Sequence, residues 1–166
     1  SPDSSWSPRG EMMELDELVD LCASGPRDVV LTGGEPLLFP ALATLSQRLH
    51  RAGHFITIET AGTVWLEGLA CDLVSISPKL AHSTPHQRAP KWVTRHEAAR
   101  WAPAIVDRLI DGFDAYQLKF VVRWRDLSDL SADLAEIDAM LDDLSSKRLD
   151  ASRVLLMPEC IDASEL

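Results

Sequence analysis

The sequence predicts an α/β fold of parallel βαβ units, on three observations. Short β-branched or apolar runs recur at Asp28 to Leu31, Phe55 to Ile58, Leu73 to Ile76, Leu118 to Val122 and Val154 to Met157. Segments with apolar residues at helical spacing alternate with these runs. The first three runs and the last close on short polar loops, as strand ends facing a site do. Such alternation builds a parallel sheet, either doubly wound or a piece of a barrel.

Taken in order, Leu15, Leu18, Val19 and Cys22 recur at helical spacing with Asp16, Glu17 and Asp20 opposite, and Gly25-Pro26 stops the pattern. The first strand ends in Thr32-Gly33-Gly34-Glu35-Pro36. A second helix runs from Pro40, suited to a first helical turn, through Leu42, Leu45 and Leu49 to a stop at Gly53. The next two strands close on Glu59 to Thr63 and on Ser77-Pro78-Lys79. Residues 81–91, rich in His, Pro and Ser, read as an exposed loop. His82 and His86 have a spacing that would suit a metal on a helix, but Pro85 between them argues for exposed polar residues. Thr94-x-x-Glu97 reads as a capping box opening a helical stretch that Pro103 divides in two. Leu130, Leu134, Ile137, Leu141 and Leu144 define a long amphipathic helix, with Asp133, Glu136, Asp142 and Asp143 on a solvated face. After Pro158-Glu159 only the start of another helix follows, and no internal repeat is visible.

The 166 residues, 46% hydrophobic and 25% charged, suit a single domain that buries roughly 70% of its unfolded surface. Sixteen Lys and Arg against 26 Asp and Glu give a formal charge of −10, which repels phosphate backbones and anionic lipid and argues against a nucleic-acid partner. No apolar run reaches the roughly 18 residues of a membrane span, and Ser1 to Gly10 lacks the regions of a signal peptide, so the expectation is a cytoplasmic protein without a membrane partner. Cys22, Cys71 and Cys160 are odd in number and far apart, which suits buried or partly buried free thiols rather than disulfides or a metal knuckle. Ser1 to Gly10 has the composition of a loop, with no initiator Met.

In either parallel architecture the loops after the strands converge on one rim. That rim gathers Thr32 to Pro36, Glu59 to Thr63, Ser77 to Lys79, Gln117 to Lys119 and Met157 to Glu159. Gly33 and Gly34 let a ligand approach the backbone with no Cβ in the way and open backbone angles closed to other residues; alone, they suit a tight strand-to-helix turn equally well. A cation at Lys79 can pair with a cofactor or substrate carboxylate, the alternative being a solvated loop lysine. Lys119 lies inside an apolar strand, so its charge should reach the rim or a carboxylate. Glu59 either holds a ribose or bonds nearby backbone N–H groups.

Thr32-Gly33-Gly34-Glu35-Pro36 directly after a hydrophobic strand resembles the motif of radical S-adenosylmethionine proteins. Glu59 to Thr63 followed by Asp72 to Lys79 narrows the resemblance to the 7-carboxy-7-deazaguanine synthases, over about Trp6 to Glu159. The resemblance implies a partial, incomplete β/α barrel of the radical S-adenosylmethionine type with five or six mostly parallel strands. It makes residues 1–166 one core domain, incomplete at both ends. It implies a carbon-nitrogen lyase that contracts the ring of 6-carboxy-5,6,7,8-tetrahydropterin to 7-carboxy-7-deazaguanine with loss of ammonia, on the way to queuosine and other 7-deazapurines. The implied cofactors are S-adenosyl-L-methionine, a 4Fe-4S cluster and Mg2+, and the implied partners are a reductase or flavodoxin-type electron donor and a second copy in a homodimer.

Carried onto this chain, the resemblance makes Thr32 the substrate contact and Gly34 a contact of S-adenosylmethionine, with Ser77, Pro78 and Lys79 lining the cofactor site. Gly33, Glu35, Glu59, Gln117 and Lys119 complete the candidate cofactor residues. None of the three cysteines fits a cluster motif. Ser1 to Trp6 resembles the stretch after the family's last cluster cysteine, which would set Ser1 at the magnesium position and the cysteines just upstream. Ala61 stands where the family often has Asn, and Cys160 where it usually has Gly. Two rival readings remain: a degenerate, cluster-less relative that binds a nucleotide or a partner, and an unrelated phosphate-binding enzyme that uses the Gly33-Gly34 turn.

Overall fold

The computed structural model describes residues 12–160. Helix α1 (Leu15–Ala23) leads into β1 (Asp28–Leu31), followed by α2 (Ala41–Arg51), β2 (Phe55–Thr60) and β3 (Leu73–Ile76). A long connection carrying α3 (Val93–Ala99) and α4 (Pro103–Gly112) then leads to β4 (Tyr116–Val122), α5 (Leu127–Asp142) and β5 (Val154–Pro158). All five strands are parallel, in the order β1-β2-β3-β4-β5. A doubly wound sheet reverses its order at a switch point, whereas successive right-handed crossovers without reversal keep the helices on one face. The sequential order therefore gives an open arc of barrel type, with β1 and β5 as its edges among the described residues.

The pleat divides the strands between two environments. Ile56, Ile58, Val74, Ile76, Leu118 and Phe120 turn to the helical side and form one cluster with Leu49 of α2, Val106, Leu109 and Ile110 of α4, and Ile137 and Met140 of α5. Each large side chain so buried contributes roughly 1.5–3 kcal/mol, far more than a surface ion pair. The other face carries Glu59, Ser75, Gln117 and Lys119, and the register lines up Glu59 with Ser75 and Ser75 with Gln117. Among the described residues no helix is long and apolar enough to cross a membrane.

Three local expectations fail, each for a long-range reason. Trp92 rather than a threonine stands at the N-cap of α3, so Thr94 and Glu97 form no capping box. Glu97 is taken instead by the Thr84 hydroxyl and by Arg100. Helix α5 is turned from the predicted face: Asp133 is 1% exposed while Leu134 is 36% exposed. Burial of Asp133 is tolerated because the backbone N–H of Arg123 donates to it at 2.8 Å and the guanidinium at 2.7 Å. Residues 81–91 are not uniformly exposed, for His82 Nδ1 lies 3.3 Å from that same carboxylate and Thr84 is buried.

Other expectations hold. Pro103 begins α4 and separates it from α3. Gly53 ends the α2 turn at φ +92°, an angle that favours glycine. Two helix starts escape the sequence reading: Glu14 and Glu17 form a reciprocal capping box on α1, and Asp126 caps α5 by accepting from the N–H groups of Ser128 and Asp129.

Candidate functional site

Glu35 organises the rim where β1 and β2 end. It caps the one-turn 3-10 helix Pro36–Leu38 by accepting from the Leu37 N–H at 3.1 Å. Its carboxylate also accepts from the buried Thr60 hydroxyl at 2.8 Å, the Ala61 N–H at 2.9 Å and the Thr63 hydroxyl at 3.4 Å. Thr60 accepts in turn from the Gly62 N–H at 3.0 Å. One carboxylate thus ties the loop after β1 to the loop after β2.

Gly33 and Gly34 sit exposed in the first of these loops, and a Cβ built on either meets no atom within 4 Å. Neither has positive φ, so the expected need for unusual backbone angles is absent here. Gly62 is the opposite case: its φ is +75°, and a Cβ would lie 2.8 Å from Ile76 Cγ2 and 3.0 Å from Val106 Cγ2. Gly62 is glycine for packing, whereas nothing within the described protein requires glycine at 33 or 34.

The inner face of the sheet carries a polar row. The Thr32 hydroxyl donates to Glu59 Oε2 at 3.4 Å, Lys119 Nζ donates to Glu59 Oε1 at 3.2 Å, and Gln117 Nε2 donates to Ser75 Oγ at 2.9 Å. Thr32 just past β1, Glu59 of β2 and Gln117 and Lys119 of β4 are therefore neighbours. Ser75 was missed by sequence reading, although it lies inside β3 two residues before the Ser77 that follows the strand's end.

After β3, the Ser77 N–H donates to the Thr60 carbonyl at 2.7 Å, and Pro78 is buried. Lys79 is exposed and makes no hydrogen bond or ion pair of its side chain among the described residues. Desolvation by the surrounding rim, and then the Lys119 charge, lower its pKa, against Glu35 and Glu59, which raise it. These couplings join Lys79 electrostatically to the Glu59–Lys119 row. Pro78 and Lys79 line one wall of a cleft of about 730 Å³ that continues past His82 and Arg88 to Val121 and Glu159. The segment after β3, the end of β4 and the residue after β5 thus share one opening.

No family model matches the chain. Over its full length it is 40% identical to the 7-carboxy-7-deazaguanine synthase of Rhodopirellula baltica, covering 62% of that protein. Over 98% of its length it is 39% identical to the 7-carboxy-7-deazaguanine synthase of Halobacterium salinarum, covering 64% of it. Nearly all of the chain is thus similar to proteins named 7-carboxy-7-deazaguanine synthase. It spans under two thirds of the length of these curated relatives. A similar fold is seen in the crystal structure of QueE from Escherichia coli, with a TM-score of 0.59 at 22% identity over 89% of this chain and 54% of that one.

The described cysteines are unsuited to hold a metal cluster. Burial pushes the Cys71 thiol up to about 11, away from the thiolate form that binds metal. Cys22, Cys71 and Cys160 form no disulfide among the described residues, where no group of three His, Cys, Asp or Glu is placed to hold a metal ion either. Ser1 lies outside the described residues. An open glycine backbone, a cation whose side chain has no hydrogen-bond partner among the described residues and a carboxylate share one rim.

Proposed function

We propose that this chain forms the cofactor- and substrate-facing part of a radical S-adenosylmethionine enzyme. The reaction is the ring contraction of 6-carboxy-5,6,7,8-tetrahydropterin to 7-carboxy-7-deazaguanine with loss of ammonia, a step toward queuosine and related 7-deazapurines. The observation that carries the reading is the Gly33-Gly34 pair, which has open space over both Cα atoms and no positive φ. Glycine there is explained by a ligand that lies against the backbone. The resemblance of Thr32 to Pro36 to the motif of radical S-adenosylmethionine proteins supports S-adenosylmethionine as that ligand.

In this reading the backbone at Gly33 and Gly34 takes the amino acid portion of S-adenosylmethionine, and Glu35 keeps that loop in place through Thr60 and Ala61. Ser77, Pro78 and Lys79 line the cofactor along the next strand end, with the Lys79 ammonium facing a carboxylate. Glu59, Gln117 and Lys119 bound the floor, and Thr32 contacts the pterin. When bound, S-adenosylmethionine would supply the radical chemistry of the ring contraction, with a 4Fe-4S cluster whose ligands are not among the described cysteines. Mg2+ at Ser1, a reductase or flavodoxin-type electron donor, a homodimer and a cytoplasmic location complete the proposal.

Calorimetry with S-adenosylmethionine on the protein at its native length tests the site. Gly34→Val and Lys79→Ala are each expected to weaken binding at least tenfold, and unchanged affinity in both would remove this assignment. Conversion of the tetrahydropterin under anaerobic reducing conditions tests the reaction. The coding sequence upstream of Ser1 separates this reading from a cluster-less relative: a three-cysteine motif ending in Cys-Asp supports the enzyme, and its lack favours a binding module.

A further inference from the structure

The segment after β3 is held from outside the sheet by two charged side chains of the helical layer. Arg100, at the C-cap of α3, donates through Nη1 to the Lys79 carbonyl at 3.1 Å and to Glu136 Oε1 at 2.5 Å. Its Nε donates to Glu97 Oε2 at 2.8 Å. Glu136, on α5, accepts from the Ala81 N–H at 3.0 Å. The carbonyl of Lys79 and the amide of Ala81 are thus gripped by one ion pair whose members are 18% and 23% exposed. Behind it the buried Thr84 hydroxyl donates to Glu97 and lies 3.1 Å from His96 Nδ1.

These bonds fix the backbone on both sides of Leu80, while the Ser77 N–H is anchored to β2. Lys79 therefore has an immobilised main chain and an ammonium without a partner among the described residues. A solvated loop lysine needs no such support, since a mobile cation on a mobile loop is well hydrated anywhere. A cation that must meet a ligand carboxylate does need it, because the entropy of ordering the loop is then spent before binding.

We propose that Arg100 and Glu136 are positioning residues that act on ligand binding through Lys79, by clamping the Lys79 carbonyl and the Ala81 amide. The proposal rests on the reading of Lys79 as a cofactor contact. Neither residue touches the ligand. Their substitution should loosen the direction of the ammonium rather than remove a contact.

A double-mutant cycle on the protein at its native length tests this, with the dissociation constant of S-adenosylmethionine as the readout and thermal melting as a control. Arg100→Gln is expected to weaken binding about tenfold in the wild-type background and less than twofold in the Lys79→Ala background. Arg100→Lys, which keeps the charge but not the fork that spans three acceptors, should recover only part of the loss. Glu136→Gln serves as the second arm, should Arg100→Gln fold poorly, with the same dependence on Lys79. Equal losses with and without Lys79 would mean that the clamp merely supports the fold, and the proposal fails. If Lys79→Ala weakens binding while Arg100→Gln and Glu136→Gln do not, the proposal fails and the cofactor site stands. If Lys79→Ala has no effect, both fail.

Discussion

Lys119 Nζ stands 3.2 Å from Glu59 Oε1, in an ion pair that crosses β3 diagonally. The register sets Glu59 level with Ser75 and Gln117, so Lys119 lies two residues further along β4 and leans back toward it. With 22% and 41% of the two side chains exposed, the pair is screened and is worth only about 0–1 kcal/mol to stability. Lys119→Met should therefore move the melting temperature by only a few degrees, roughly what such an energy allows. Because the pair floors the proposed site, the same variant should weaken S-adenosylmethionine binding by about tenfold. A large drop in melting temperature with unchanged affinity would assign the pair to the scaffold.

The glycines separate packing from ligand approach. Gly33→Ala and Gly34→Ala introduce a methyl into empty space at ordinary backbone angles, so stability should be unchanged or up by about 0.4–1 kcal/mol through the unfolded state. Gly62→Ala combines a φ of +75° with a 2.8 Å contact to Ile76, and should cost about 2 kcal/mol or more. Urea denaturation measures all three. The proposed site further requires that the first two lose ligand affinity despite their intact stability; tight binding in both would end the glycine argument.

Asp133 contributes to the acid side of stability. Its burial would raise the pKa, but hydrogen bonds from the Arg123 side chain and backbone, with the His82 and Arg123 charges, bring it below the ordinary 3.8. A carboxyl lowered on folding stabilises the fold above its unfolded pKa, and that contribution disappears as pH falls through the folded value. Wild-type stability should accordingly decline below a pH of about 4. Arg123→Ala leaves a carboxylate that is 2% exposed without its main partner, which should cost about 3–5 kcal/mol at neutral pH. That variant should also move the acid limb to higher pH, and urea midpoints across pH 3 to 7 would show a fixed limb if Asp133 were not responsible, on the order of the ordinary carboxyl range.

The strands and the converging rim were legible because pleat and apolar spacing are local properties. Glu59, Gln117 and Lys119 could be placed on a common rim from strand ends alone, but their hydrogen bonds depend on register, which no single strand encodes. The sequential strand order likewise lay beyond local pattern, and it alone distinguishes a barrel arc from a doubly wound sheet. Asp133 and His82, 51 positions apart, were read as solvated because the partner of each lies far away in sequence. Arg100 and Glu136 were passed over for the same reason, their targets at Lys79 and Ala81 being backbone atoms that leave no mark on side-chain pattern. Glu35 was assigned to the ligand from its motif, while its carboxylate serves four donors within the protein.

Lys79 gives the proposed site a dependence on alkaline pH. Desolvation and the neighbouring Lys119 ammonium lower its pKa from 10.5, with Glu35 and Glu59 opposing. A ligand carboxylate pairs with the ammonium and not with the neutral amine, so affinity should be full while Lys79 is protonated and fall as pH rises through the lowered value. The onset should come before the ordinary lysine range of about 10.4. Since the bound carboxylate favours the charged form, binding in that window should take up a proton, which calorimetry in buffers of different ionisation enthalpy detects. Lys119→Met removes the like charge, raises the Lys79 pKa and should shift the decline to higher pH. Affinity that stays flat to pH 10 or so, with no proton uptake, would mean that the Lys79 ammonium has no carboxylate to meet.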